Sequence, residues 1–395
     1  MKISLLKERE NFDEILIKSL SQFLENKYKW TGELGFSFIP NTKKFIVNDL
    51  LNIFYPASIS RNKLAPLTQE FSWNPNPIKT LLQKIYIFVS VRFPLEKYLS
   101  SSAFYISDNQ GVLDGVVIIP GNHSIRLVNI NTNICTVICK SGFNNSLLIK
   151  DAQVRLDNNA LNVPNVIQLN TQEGWYQEER VIGLPLNRLG SEVVKETFLI
   201  KCQNDLKLFY QNSLIKVDTS TLLKSLERDI NNLTTQIVPS LEHEVRSSLL
   251  FIMEYLLRKI SLCEENDFNI CDTHGDFQPA NILCAEDEFW IIDWEYSKQR
   301  SIFYDALVFD LESRFTSQLS TRLINFFERI KSGDEFFSWT GVTLNKNNIY
   351  YIYVFLLEDI ELKLQELSNE AIQNKNEKLK PFLTEIQLFL SSLNK

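Results

Sequence analysis

The sequence predicts an α+β protein in two parts, a strand-rich part followed by a mostly helical one. Three runs rich in β-branched residues carry the first half of that expectation: Val116–Ile119, Ile125–Val128 and Ile134–Cys139, separated by Gly, Asn and Thr. Apolar residues at helical spacing carry the second, most plainly Leu249, Ile252, Met253, Leu256, Leu257 and Ile260, one stripe that faces a core. The third observation is a stretch between residues 273 and 295 in which short apolar runs alternate with polar loop residues.

In chain order, Phe12, Ile15, Leu16, Leu20, Phe23 and Leu24 keep a 3.6-residue period, so the chain opens with an amphipathic helix. Proline-punctuated aromatic segments follow, among them Trp73–Pro77, then a mixed apolar stretch from Ile78 to Leu99 broken at Pro94. Residues 1–105 read as an N-terminal extension or accessory region whose aromatics pack in a core, with service to a partner or substrate as the alternative. Residues 106–183 form the strand-rich lobe, with a helix expected about Leu147–Leu156 and extended segments at Val163–Ile167 and Gly174–Gly183. Residues 184–395 form the helical lobe, with helices at Ile349–Leu367 and Phe382–Leu393 and a loop at 374–378.

Composition narrows the class. The chain has 395 residues, 44% hydrophobic and 23% charged, enough to bury a sizeable core. Its net charge of -7 comes with no run of Lys or Arg, which argues against a nucleic-acid stripe. Six scattered cysteines without a C-x-x-C pair read as reduced thiols. No apolar run reaches the roughly 18 residues of a membrane span, and the first residues lack the apolar core of a secretion signal. A cytoplasmic protein is expected.

The stretch Thr273-His274-Gly275-Asp276-Phe277-Gln278-Pro279-Ala280-Asn281-Ile282-Leu283, followed by Trp290-Ile291-Ile292-Asp293-Trp294-Glu295, has a spacing with a mechanism. Asn281–Cys284 and Phe289–Ile292 bound a four-residue turn and read as a β-hairpin that returns Asp293 toward the Asp276 loop. Phosphoryl transfer needs a carboxylate to orient the attacking hydroxyl and oxygen ligands for the magnesium on the nucleotide phosphates. Asp276 is the candidate base, Asn281 and Asp293 the candidate Mg2+ ligands, a hard ion that takes oxygen donors. His274 braces the loop, and Gln278 assists the metal or the acceptor.

These motifs resemble the aminoglycoside phosphotransferase and choline kinase family, which has a two-lobed protein-kinase-like fold with a β-rich N-lobe and a mostly helical C-lobe. The loop begins His-Gly-Asp, and Gln278-Pro279, Ile292–Tyr296, Phe303-Tyr304-Asp305 and Glu312, seven positions after that Asp, are similar to the choline-kinase branch. The resemblance covers about residues 270–312. It implies ATP or GTP as phosphate donor, with Mg2+. It also implies that Lys140, at the end of the third strand run, meets the nucleotide phosphates and is held by a carboxylate from the next helix. No Glu occurs between Lys140 and Glu173, so Asp151 is the expected substitute. The turn Pro120–Ser124, with Gly121 and Asn122, would cover the phosphates; with one glycine it reads equally as a plain β-turn. Lys140 has an alternative too, as a surface lysine at a strand end. Gly174–Gly183 would supply the strand and hinge that bind the adenine edge through the backbone.

For the acceptor, the resemblance points to Glu295, Asp310 and Glu312, with Trp294 and Tyr296 as faces for a cation. Glu312 is as well read as a helix cap or salt-bridge partner, and Asp305 as a brace of the catalytic loop. The expected function is a Mg- and ATP-dependent kinase of a hydroxylated small molecule such as an amino sugar or amino alcohol. A kinase of a peptide or protein hydroxyl shares the same catalytic residues. A catalytically silent binding module is the reading from another class: the missing Glu and the turn with a single glycine favour it, and the joint presence of Asp276, Asn281 and Asp293 opposes it.

Overall fold

The computed structural model describes residues 3–59, 61–68, 77–92, 102–107, 111–158, 161–263, 267–369 and 371–393. The expectations for Trp73–Asn76 and for the break at Pro94 lie outside them. The chain divides into two compact units, residues 1–157, 162–195 and 282–292 in the first and 158–161, 196–281 and 293–395 in the second.

The first unit opens with α1 (Ile3–Arg9) and α2 (Phe12–Tyr28), then β1 (Leu34–Gly35), β2 (Lys43–Asn48) and β3 (Ile53–Pro56). Helices α3 (Arg61–Thr68) and α4 (Pro77–Arg92) precede β4 (Ser102–Ile106), β5 (Val116–Pro120), β6 (Ser124–Asn129) and β7 (Ile134–Cys139). After α5 (Asn145–Asp157) come β8 (Val166–Asn170), β9 (Trp175–Glu179) and β10 (Leu184–Pro185). One nine-stranded sheet runs in the order β1-β4-β2-β3-β5-β6-β7-β9-β8, its pairings antiparallel.

Side chains alternate across a strand, so each strand serves two cores. Phe45, Val47, Phe54, Phe104, Ile118, Leu127 and Ile138 turn to the face covered by α1 and α2, against Leu6, Leu16, Leu20 and Leu24. Their neighbours turn the other way: Ile46, Ile53, Tyr55 and Val117 pack with Leu64, while Val137 and Tyr176 pack with Leu148 and Ala152 of α5. The predicted opening helix is α2. It stops where Lys29 turns left-handed (φ 54°), with the Lys29 and Trp30 N–H groups donating to Glu25 and Leu24 carbonyls.

The expected division at about residue 105 does not coincide with a boundary in this unit. Strands from residues 34–106 and from 116–179 share the sheet, and β2, β3 and β4 have buried faces only because they do. The predicted hairpin forms as β13 (Ile282–Ala285) and β14 (Glu288–Ile291), and it also belongs to the first unit, pairing with β10.

The second unit is mostly helical: α6 (Glu192–Ser213), α7 (Thr219–Ile237), α8 (His243–Ser261), α9 (Tyr304–Asp310), α10 (Leu319–Ser332), α11 (Tyr351–Leu367) and α12 (Lys375–Ser392). The stretch 374–378, expected as a loop, instead starts α12 behind Asn374, because Leu379, Phe382, Leu383 and Ile386 need a helical face to reach the core. A small sheet pairs β11 (Ile215–Asp218) and β15 (Lys298–Ser301) on either side of β12 (Asp267–Thr273). Helix α11 packs on α7 and α8. All six cysteines are free thiols. Among the described residues no helix is long and apolar enough to cross a membrane.

Candidate active site

Strand β12 ends at buried Thr273, whose hydroxyl donates to the Lys298 carbonyl at 2.8 Å, and it delivers the loop that begins at His274. Gly275 has φ +87°, and a Cβ there would stand 2.2 Å from the Tyr296 carbonyl oxygen. Only glycine suits both the dihedral and the close approach. The His274 and Gly275 N–H groups donate to the two oxygens of Asp305 at 2.7 and 2.8 Å, and the Tyr210 hydroxyl donates to the same carboxylate at 2.9 Å. Asp305 is fully buried in the first turn of α9. It braces the loop, as expected.

His274 is fully buried as well. Its Nδ1 accepts from the Asp276 N–H at 3.1 Å, and its ring lies 4.5 Å from that of Trp294. The imidazole therefore shapes the backbone that presents Asp276.

At Asp276 itself three donors converge. Oδ1 accepts from Arg314 Nε at 2.6 Å, and Oδ2 accepts from Gln278 Nε2 and from Asn281 Nδ2, both at 2.9 Å. Asn281 Nδ2 also donates to the Asp276 carbonyl at 2.9 Å. Arg314 was not singled out by the sequence. Its Nη1 donates to Asp359 at 2.5 Å and its Nη2 to the Gly275 carbonyl at 2.7 Å; the Tyr304 hydroxyl donates to the same Asp359 oxygen at 2.9 Å. Burial pulls this guanidinium's pKa down, but Asp359, Tyr304 and Asp276 outweigh it and hold it well above its ordinary value. The sequence signal was three carboxylates, Glu358, Asp359 and Glu361, set directly after the apolar run Tyr351–Leu357: buried acids need a partner.

Asp293 takes the left-handed conformation (φ 65°) just after β14. The next residue, Trp294, is fully buried against His274 and, at 5.2 Å, Phe209. Asp293 is thus anchored one residue from a ring that packs on the His274–Asp276 loop. The expected metal pair consists of hard oxygens. Both amide-nitrogen bonds of Asn281 go to Asp276, so its Oδ1 is the atom left to meet a cation, and Asp293 adds a carboxylate; this donor set fits Mg2+. Among the described residues no group of three or more His, Cys, Asp and Glu is gathered as for a metal ion.

The three candidate acceptor residues are less closely tied to this centre. Glu295 is half-buried in the turn Trp294–Tyr296. Asp310 and Glu312 are exposed at the end of α9, Glu312 at φ 45°, and among the described residues neither pairs with the Asp276 cluster. The Glu312 carbonyl caps the chain locally, accepting from Phe315 N–H at 2.9 Å.

In the first unit, Lys140 follows β7 and its Nζ meets Glu10 Oε1 at 2.5 Å, both side chains sealed from solvent. Asp151 is engaged elsewhere, by Arg155 Nη2 at 2.8 Å and the Tyr176 hydroxyl at 2.6 Å. Strand periodicity explains the difference. Val137 and Cys139 turn toward α5, which carries Asp151, so Ile138 and Lys140 turn toward α1 and α2. The partner of Lys140 is therefore Glu10, 130 residues away, and Asp151 holds Arg155, which also bridges to Glu178 at 2.7 Å. Gly121 and Asn122 form a tight turn in which Gly121 N–H donates to Ser124 O at 2.8 Å. Arg9 donates to the Asn122 side chain at 3.3 Å and to its carbonyl.

No protein-family model and no curated protein matches this sequence. Among solved structures, the chain is similar to a choline/ethanolamine kinase family protein from Mesorhizobium loti, at 14% identity, covering 72% of this chain and 93% of that one, with a TM-score of 0.44. It is similar to an ethanolamine kinase from Plasmodium vivax at 15% identity, covering 87% and 96%, with a TM-score of 0.43. It is also similar to aminoglycoside 2'-phosphotransferase-IIIa in its GDP complex, at 14% identity, covering 70% and 91%, with a TM-score of 0.45. The proteins to which this chain is similar in structure are thus choline/ethanolamine kinases and aminoglycoside phosphotransferases.

Proposed function

We propose that this chain is a phosphotransferase that moves the terminal phosphate of ATP or GTP, with Mg2+, to a hydroxyl of a small molecule such as an amino sugar or amino alcohol. The observation that carries the reading is the Asp276 carboxylate, held by Arg314, Gln278 and Asn281 on a loop whose backbone is clamped by Asp305. Such a carboxylate is pre-set to orient a hydroxyl, and a loose transition state asks for orientation more than for strong base catalysis. The acceptor oxygen bonds to the terminal phosphorus as the bridging P–O bond breaks. The nucleoside diphosphate leaves, and the hydroxyl proton passes to Asp276. Asn281 and Asp293 would hold Mg2+, which when bound neutralises charge on the phosphates.

Of the two features that favoured a silent binding module, a lysine without a glutamate and a phosphate turn with a single glycine, the first is met in the structure. Glu10 supplies that carboxylate, which supports an active enzyme. Glu295, Asp310 and Glu312 stay as candidates for recognising a cationic acceptor.

The test follows labelled phosphate from ATP with magnesium to a panel of choline, ethanolamine, amino sugars, aminoglycosides and a generic protein substrate. Transfer to one small acceptor, reduced at least about 100-fold in Asp276→Asn, is the expected result. Transfer to the protein substrate alone would move the reading to a protein kinase, and equal turnover in Asp276→Asn would remove its orienting role.

A further inference from the structure

Helix α4 is apolar on two faces, and packing within the first unit covers only one of them. Tyr86 and Ile87 turn inward and pack with Ile46, Ile53, Tyr55 and Leu64, and the Tyr86 hydroxyl donates to Asn48 Oδ1 at 3.3 Å. Ile78, Leu81, Leu82, Ile85 and Phe88 follow the i, i+3, i+4, i+7 spacing of a second face. These five side chains are 48–69% exposed and make a stripe about 15 Å long at 1.5 Å per residue. Large apolar residues aligned on a surface in this way mark an interaction site. Lys79 and Lys84 are exposed, one along each margin of the stripe. The sequence of α4 adds Arg92 and contains no Asp or Glu, and Asp49 lies beside Tyr86, on the packed side. Cations thus border an apolar stripe on a chain whose net charge is -7.

We propose that α4 is a docking helix that lies along an anionic phospholipid surface, its stripe in the boundary between headgroups and acyl chains and its lysines at the lipid phosphates. Charge and size favour this occupant. A second copy placed face to face would set Lys79 and Lys84 against the same cations. A strip about 15 Å by 10 Å is far below the roughly 800 Å² that each partner of a stable protein complex buries. Lipid demands neither a matched shape nor a large area: acyl chains take up the apolar side chains, the lysine stems run along them, and the ammonium groups reach the anionic heads. Each cation near such a surface adds about fivefold to partitioning. Sixteen residues are too few to span the bilayer, so the helix rests on it. Docking of this kind is independent of the phosphotransferase reading, since α4 carries no residue of the candidate active site.

Co-flotation of the full chain with phosphatidylcholine vesicles, with and without phosphatidylserine, tests this. Expected is binding to the anionic vesicles that falls at least about tenfold on neutral ones and in high salt. Leu82→Gln with Ile85→Gln should weaken it at least about tenfold, because two apolar side chains no longer enter the lipid. Both positions are exposed, so the melting temperature should stay at the wild-type value. Lys79→Gln with Lys84→Gln should weaken binding to the anionic vesicles at least about tenfold and leave residual binding to the neutral ones unchanged. This second pair carries the test if the first does not fold. No binding of the wild type to anionic vesicles, or binding that a folded pair of substitutions leaves unchanged, would overturn the proposal. A dimer in vesicle-free sedimentation velocity that Leu82→Gln with Ile85→Gln dissolves would overturn it as well, assigning the stripe to a second copy of the chain.

Discussion

Arg314 shows how one side chain can tie a loop to a helix core. It bridges Asp276, Asp359 and the Gly275 carbonyl. Removing one member of a buried ion network leaves charge without compensation and costs about 3–5 kcal/mol. Arg314→Leu should therefore lower stability by about that amount in urea unfolding, and it should reduce phosphate transfer in protein that remains folded. Stability within experimental error of wild type would mean that the network is dispensable. Gly275 makes a second residue-scale case, because its φ of +87° and the 2.2 Å approach to Tyr296 O admit no side chain. Gly275→Ala should cost at least about 1–3 kcal/mol, read as a lowered melting temperature.

At the scale of elements, α11 carries three buried acids in one turn, each tied to a different neighbour. Glu358 accepts from the Ser301 N–H and hydroxyl at 2.7 and 2.6 Å, Asp359 meets Arg314, and Glu361 accepts from Lys298 at 2.6 Å. Burial raises the Glu358 pKa to about 7, against the lowering effect of Ser301. A carboxyl whose folded pKa lies above its unfolded value contributes stability at low pH and loses it as pH rises through the folded value. Wild type minus Glu358→Gln should therefore show a stability difference that falls as pH rises from about 4.5 to about 7; calorimetry at several pH values measures it, and a flat difference would contradict the assignment. Helix α2 contributes differently, through Leu16, Leu20 and Leu24 buried on the sheet. Leu20→Ala should cost about 2–5 kcal/mol, the usual range for a core leucine truncation.

For the whole molecule, the chain order conceals how the first unit is built. Residues 3–28 cover one face of a sheet whose strands span residues 34 to 179, and residues 282–292 return to add a hairpin to the same unit. Deleting residues 1–28 should expose Phe45, Phe54, Phe104 and Ile138, so the remainder should be insoluble or lack near-ultraviolet circular dichroism. A soluble, cooperatively unfolding remainder would return this region to the status of an accessory segment.

Local signals sufficed for much of this protein. The 3.6-residue periods placed α2, α8 and α11, alternation and turn residues placed β5 to β7 and the β13–β14 hairpin, and the spacing from His274 to Asp293 singled out the loop that Asp305 braces. Each of these depends on residues close in sequence, where periodicity and turn chemistry act directly. Tertiary structure alone decided the pairings that close over long chain distances. Lys140 meets Glu10 rather than Asp151 because strand alternation and the α1–α2 packing choose the face, and Arg314 reaches both Asp276 and Asp359 because α9, α11 and the loop converge on one guanidinium. No periodicity records such contacts, since charged partners are selected by which faces the core brings together.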